Sequence, residues 1–193
     1  MVATPSTMLA LGTSAPEFRL PDVVSGKTVT LDNFSGKRGL LVMFLSRHCP
    51  YVQHVKEELG RIGREFTVRG IGIVAISSND VSNYPDDAPA MLKEMAREAH
   101  FNFPVCYDES QETAKSYLAA CTPDFFLFDE KFKLAYRGQL DGSRPGNGVP
   151  VKGADLRAAL EAVLAGKAPA ADQKPSLGCN IKWKTGNEPQ YAR

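Results

Sequence analysis

Leu45-Ser46-Arg47-His48-Cys49-Pro50-Tyr51-Val52 marks the change from one hydrophobic period to another. Upstream, Gly39-Leu40-Leu41-Val42-Met43-Phe44-Leu45 is a continuous apolar run, the pattern of a strand buried on both faces. Downstream, Val52, Val55, Leu59, Ile62 and Phe66 recur at spacings of three and four, which predicts an amphipathic helix. Pro50 suits the first helical position, because its φ is already set and its missing N–H would have been unpaired anyway. Cys49 is thereby placed at the helix start, where free backbone N–H groups and the positive end of the helix dipole converge. That setting favours the thiolate, the nucleophilic form, and Arg47 and His48 add positive charge beside it. The competing reading is a small buried hydrophobe, the usual fate of a cysteine.

Working outward, Gly70-Ile71-Gly72-Ile73-Val74-Ala75-Ile76 is a second buried strand, parallel to the first across the helix. Before the first strand, Lys27 to Leu31 alternates with β-branched residues and predicts a short strand. Met8 to Asp22, interrupted by Pro16 and Pro21, reads as an irregular entry segment. Beyond the second strand come a loop from Asn79 to Pro89, a helix over Ala90 to His100 and a shorter helix over Ser110 to Leu118. Phe125 to Phe128 and Leu134 to Arg137 form a hairpin, and Asp155 to Leu164 a last helix. This order predicts an α/β fold with a central mixed sheet flanked by helices. The expected domain spans 8–165, with an N-terminal extension, and 166–193 is a tail without clear periodicity that folds back on it.

A chain of 193 residues buries a core without structural staples. With 23 Lys+Arg against 22 Asp+Glu, the net charge of +1 excludes nucleic-acid or membrane binding through bulk charge. Lys182-Trp183-Lys184 is too short to argue for nucleic acid, and Trp183 reads as an anchor for the tail. Cys49, Cys106, Cys121 and Cys179 stand singly, without a CxxC pair. Met1 to Leu20 lacks a basic region followed by an apolar run, and no stretch reaches ~20 apolar residues. The expectation is a cytoplasmic protein with reduced thiols. His48, Cys49 and His54 raise the question of copper or zinc. They read better as a thiol flanked by helix-end histidines, so neither metal nor cofactor is expected.

The strand-turn-Cys49-Pro50-helix arrangement resembles the thioredoxin superfamily. Gly12 to Asp22 is similar to the opening of peroxiredoxins. Cys49-Pro50-Tyr51-Val52, Ile76 to Asp80, Thr122 to Asp129 and Pro175 to Lys184 resemble its peroxiredoxin-like branch, the alkyl hydroperoxide reductase and thiol-specific antioxidant type. The match runs from about Gly12 to about Lys184 and implies a thioredoxin-like fold. It also implies a cis peptide bond at Thr122-Pro123, facing the active cysteine, and a Thr122 backbone able to pair with a bound substrate like an added strand.

The departures are as informative. Relatives in this branch carry a cysteine where this chain has Ser46, so Ser-x-x-Cys replaces the dithiol. Peroxiredoxins place a hydroxyl residue at that position and the attacking cysteine at the other, which is the pattern of Ser46 and Cys49. A hydroxyl there would orient a peroxide oxygen. Val42 stands where peroxiredoxins usually have proline, and Thr122-Pro123 where they have an arginine, with Arg47, Arg137 and Arg144 as replacement candidates.

The resulting candidates are Cys49, Ser46, Cys121 and Pro123 for catalysis and Thr122, Arg47 and His48 for substrate binding. Cys121 reads either as a resolving thiol or as a packed residue, Cys179 is a possible resolving thiol in the tail, and Cys106 reads as core. Of the two bridges, Cys49–Cys121 is expected ahead of Cys49–Cys179, because the rigid Thr122-Pro123 loop ties Cys121 to the face of Cys49. The implied function is a thiol-based oxidoreductase in which Cys49 reduces a peroxide or disulfide. Its reductant is a thiol protein or a low-molecular-weight thiol. The alternative is a non-enzymatic redox-sensing or peptide-binding module that lost dithiol activity with Ser46.

Overall fold

The computed structural model describes residues 3–192. Met1 and Val2, where the N-terminal reading begins, and Arg193, where the tail ends, lie outside them. The chain runs β1 (Thr4–Pro5), β2 (Arg19–Pro21), β3 (Thr28–Thr30), β4 (Gly39–Phe44), α1 (Pro50–Thr67), β5 (Ile71–Ser77) and α2 (Pro89–Glu98). It continues through β6 (Val105–Tyr107), α3 (Glu112–Ser116), β7 (Cys121–Thr122), β8 (Asp124–Asp129), β9 (Leu134–Gly138), α4 (Ala154–Leu164) and β10 (Leu177–Asn180).

The two apolar runs are neighbours at the centre of a sheet ordered β6-β5-β4-β8-β9. β4 runs parallel to β5 and antiparallel to β8, so the sheet is mixed as expected. Strand side chains alternate between faces, and the core follows that period. Leu41 and Met43 of β4, Ile73 and Ala75 of β5, and Phe125 and Leu127 of β8 enter one apolar cluster. Leu40, Val42 and Phe44, Val74 and Ile76, and Phe126 and Phe128 enter the other. Two such faces explain why the interiors of these strands lack polar residues. The first cluster is closed by the α1 stripe, Val52, Val55, Leu59, Ile62 and Phe66, with Leu92 and Met95 of α2 and Leu156 and Leu160 of α4. Each fully buried side chain of this kind contributes about 1.5–3 kcal/mol.

The structure adds strands β6 and β7, which the reading left unassigned, and corrects it in three further places. Arg19–Pro21 is a strand, paired antiparallel with β3, inside the segment expected to be irregular. Only Leu20 of its three residues is buried, so no period marked it. The helix expected over 110–118 is shorter, because Gln111 and Leu118 take positive φ values of 66° and 51° and bound it. In the aperiodic tail, β10 pairs antiparallel with β7 on one side and with β1 on the other. Its partners are remote in sequence, which no local pattern can report.

Beyond β10 the tail is pinned to the domain. Ile181 N–H donates to the Ala120 carbonyl at 3.1 Å, and Lys182 N–H to Asn79 Oδ1 at 2.8 Å. Gln111 Nε2 donates to the Lys182 carbonyl at 2.9 Å. Trp183 packs against the second cluster and meets Tyr191 edge-on at 6.4 Å. Among the described residues, no helix is long and apolar enough to cross a membrane.

Candidate active site

Cys49 is the N-cap residue of α1, with Pro50 at the first helical position. It is fully buried, and its Sγ donates to the Thr122 carbonyl at 3.1 Å. The Thr122-Pro123 bond is cis. The central strand β4 delivers the Ser46–Cys49 turn, and β7 delivers Thr122, immediately before Pro123 and β8.

The turn before Cys49 is organised by a residue that the sequence reading left in an undifferentiated loop. Asp87 is completely buried. Its Oδ2 accepts from His48 Nδ1 at 2.6 Å, Asn79 Nδ2 at 2.7 Å and Ser46 Oγ at 2.9 Å. Its Oδ1 accepts from the Arg47 backbone N–H at 2.5 Å. Burial alone would raise the Asp87 carboxyl, but the hydrogen bonds from His48, Asn79 and Ser46 and the His48 charge outweigh it and hold the group below the usual carboxylate range. His48 is therefore not an exposed helix-end histidine: its ring also stacks on Tyr84 at 5.0 Å. Asp80, Asp86 and Asp87 share one polar loop, and no spacing rule separates the one that meets the Ser46–His48 turn.

Removing the Asp87 carboxylate strands four donors at once, of which the Ser46 and Asn79 side chains are buried. Asp87→Ala is expected to cost about 3 kcal/mol of stability in urea unfolding near neutral pH. Because the folded value is depressed, Asp87 stabilises the fold above the unfolded carboxylate pKa, and that contribution is lost as pH falls through the folded value. The two unfolding curves should therefore converge in acid, and a constant gap down to the acid limit would contradict this role.

The remaining candidates fall as follows. Ser46 is fully buried and its hydroxyl is turned to Asp87. Thr122 is 3% exposed, and its Oγ1 is buried without a hydrogen-bond partner. Arg47 reaches Glu94 at 3.9 Å, in a largely solvated pair. Arg137 is held by Gln173 at 2.8 Å. Arg144 donates to Gln139 Oε1 at 2.6 Å and lines, with Pro123, Tyr51 and His54, a cavity of about 10 Å³, room for one water. His54 faces Ser143 Oγ at 2.7 Å, away from the His48–Asp87 pair, so the three residues weighed as a metal set have separate partners.

The four cysteines are buried thiols, none of them in a disulfide. Cys106 belongs to the second apolar cluster, and burial, helped by Asp22, pushes its thiol up to about 12. Cys121 turns its Sγ to the Pro123 carbonyl at 3.6 Å. Burial, then the neighbouring Asp124, raises the Cys121 thiol well above its ordinary value. Cys179 shares the first cluster with Cys49 and is hydrogen-bonded to it.

A family model described as AhpC/TSA family matches residues 11–137. The crystal structure of an uncharacterized conserved protein from Geobacillus kaustophilus is 49% identical, with a TM-score of 0.93 over 95% of this chain and 97% of that one. The thioredoxin domain of a thiol-disulfide oxidoreductase from Bacteroides vulgatus shares the fold at 22% identity, with a TM-score of 0.57 over 70% of this chain and 90% of that domain. Thiol-disulfide oxidoreductase ResA of Bacillus thuringiensis is 24% identical over 131 residues, 68% of this chain and 70% of ResA.

Proposed function

This chain belongs to the AhpC/TSA family, and from that membership we propose that it is a thiol-dependent peroxidase acting on small hydroperoxides through Cys49. The Cys49 thiolate attacks the distal peroxide oxygen, an S–O bond forms and the O–O bond breaks. The alcohol or water leaves with a proton, and the sulfur becomes a sulfenic acid. A thiol protein or low-molecular-weight thiol, in this reading a cytoplasmic one, returns the electrons. Likeness to the ResA oxidoreductases supports thiol–disulfide exchange for that reductive half of the cycle.

The observation that carries the choice of peroxide is the covering of the site. Cys49 is wholly buried, and β10 already pairs with the Thr122 backbone along one edge of β7, as an added peptide strand would. A small oxidant fits this setting better than a protein disulfide. Thr122 Oγ1, buried and unpartnered beside the carbonyl that Cys49 contacts, is the hydroxyl free to bond a peroxide oxygen. Ser46, Arg47 and His48 are positioning residues in this reading, because Asp87 holds them and they hold the turn.

Peroxide consumption by the reduced protein with excess dithiothreitol tests the reading. The expected result is multiple turnovers per chain. A single stoichiometric oxidation without turnover would replace it with the redox-sensing module, and consumption no faster than dithiothreitol alone would end it.

A further inference from the structure

β10 places a second thiol against Cys49. The register of β10 on β7 sets Cys179 opposite Thr122 and Asn180 opposite Cys121. Opposed residues in a ladder share a face and successive residues alternate. The Cys179 and Thr122 side chains therefore lie on one face, and the Cys121 side chain on the other. Cys49 and Cys179 pack in one apolar cluster, and their thiols are hydrogen-bonded. Gly178 makes this approach possible. A Cβ there would meet the Thr122 carbonyl oxygen at 1.9 Å, the same oxygen that accepts from Cys49 Sγ.

The strand is held in this register from both sides. β1 pairs with its outer edge, Thr4 opposite Gly178 and Pro5 opposite Leu177. Ser6 N–H donates to the Ser176 carbonyl at 3.0 Å, and Ser176 N–H to Ser6 Oγ at 3.1 Å. After β10, the contacts of Ile181 and Lys182 fix its other end. Cys179 is thus a thiol presented by a strand with a neighbour on each side.

Resting on the reading of Cys49 as the attacking thiol, we propose that Cys179 is the resolving cysteine of the same chain, standing in space for the thiol absent at position 46. The Cys179 sulfur attacks the Cys49 sulfenic sulfur, an S–S bond forms, the S–O bond breaks and the hydroxyl leaves as water with the Cys179 proton. An external dithiol then reduces the bridge and is itself oxidised to a disulfide. Burial, then the hydrogen bond with Cys49, pushes the Cys179 thiol up to about 12. It therefore waits in the protonated form, and the thiol pair holds the proton that the leaving hydroxyl needs. The other thiols are poorly placed: Cys106 lies in the opposite cluster and Cys121 on the opposite face of β7.

The test is non-reducing peptide mapping of the full chain after one equivalent of hydrogen peroxide and, separately, of diamide, which couples neighbouring thiols without peroxide chemistry. The expected product of both is a monomer bridged Cys49–Cys179, with two of the four thiols lost. In Cys179→Ser, peroxide should leave a Cys49 sulfenic acid that dimedone traps and excess peroxide drives to sulfinic acid. In Gly178→Ala the bridge should form more slowly than in the parent. A Cys49–Cys121 bridge, a bridge between chains, or equal sulfenic acid in the parent and Cys179→Ser would overturn the proposal, as would an undiminished bridging rate in Gly178→Ala. A diamide bridge at Cys49–Cys179 without any peroxide reaction would instead keep the pair and remove the peroxidase reading.

Discussion

Cys49→Ser is expected to reduce peroxide consumption to the background of the reductant, a loss of at least roughly 10³-fold. The chemistry leaves little room for partial activity. A serine hydroxyl is not ionised near neutral pH, and its oxygen cannot accept oxygen from a peroxide. The substitution is also nearly isosteric in a buried position, so the fold should persist. Cys49 Sγ donates to the Thr122 carbonyl, and a hydroxyl makes the same bond. Far-ultraviolet circular dichroism and the urea midpoint should therefore stay close to those of the parent while the rate collapses. Cys106→Ser is the control: Cys106 is remote from the Thr122 carbonyl, in the second cluster, so its loss should leave turnover largely intact. Substantial peroxidase activity in Cys49→Ser, or an equal loss in Cys106→Ser, would remove Cys49 from the attacking role.

A second large effect is expected from Asp124, a buried acid beneath the same loop. It follows Pro123, opens β8 opposite Phe44, and is completely buried. Its Oδ2 accepts from the Ala120 backbone N–H at 3.3 Å, and its Oδ1 has no partner. Burial dominates and raises the carboxyl from 3.8 to about 7, against the weaker pull of the Ala120, Cys121 and Phe125 backbone donors. Between these values the folded chain keeps a proton that the unfolded chain has released. Stability therefore falls as pH rises from about 4 to about 7 and levels off above, with a total span of roughly 4 kcal/mol. Asp124→Asn has no proton to lose. Its urea midpoint should be nearly flat across that window, apart from groups common to both proteins, and should overtake the parent at the alkaline end. Parallel pH profiles for the two proteins would show that Asp124 does not titrate in this way.

This slope runs opposite to the contribution of Asp87. Both carboxyls are buried, and their difference lies in the number and kind of donors. Asp87 collects side-chain and backbone donors on both oxygens, including His48, and stays ionised. Asp124 leaves one oxygen bare beside the Cys121 thiol, which its charge would raise further. Acid therefore weakens the turn that carries Cys49, while the rise from about pH 4 to about 7 weakens the loop that carries Thr122. The active site is held best between the two.

The fold was legible because its signals are local. The unbroken apolar runs of β4 and β5, the three-and-four spacing of α1 and the Pro50 at its start each follow from one stretch of chain. The backbone geometry of a strand or helix converts such a pattern directly into a buried face. The same locality placed Cys49 at a helix start, and together with the resemblance it identified Thr122-Pro123 as the facing loop. What the sequence left open depends on contacts between remote segments. Asp87 is one acid among several in a polar loop, and only packing of that loop against Ser46 and His48 distinguishes it. Strand β10 has no period of its own in four residues. Its identity comes from lying between β1 and β7, both of them remote in the chain. The choice between Cys121 and Cys179 turns on a one-residue register, because a shift of one would carry each side chain to the other face. Hydrogen bonds to β7 and β1 set that register, and they exist only once the tail has returned to the sheet.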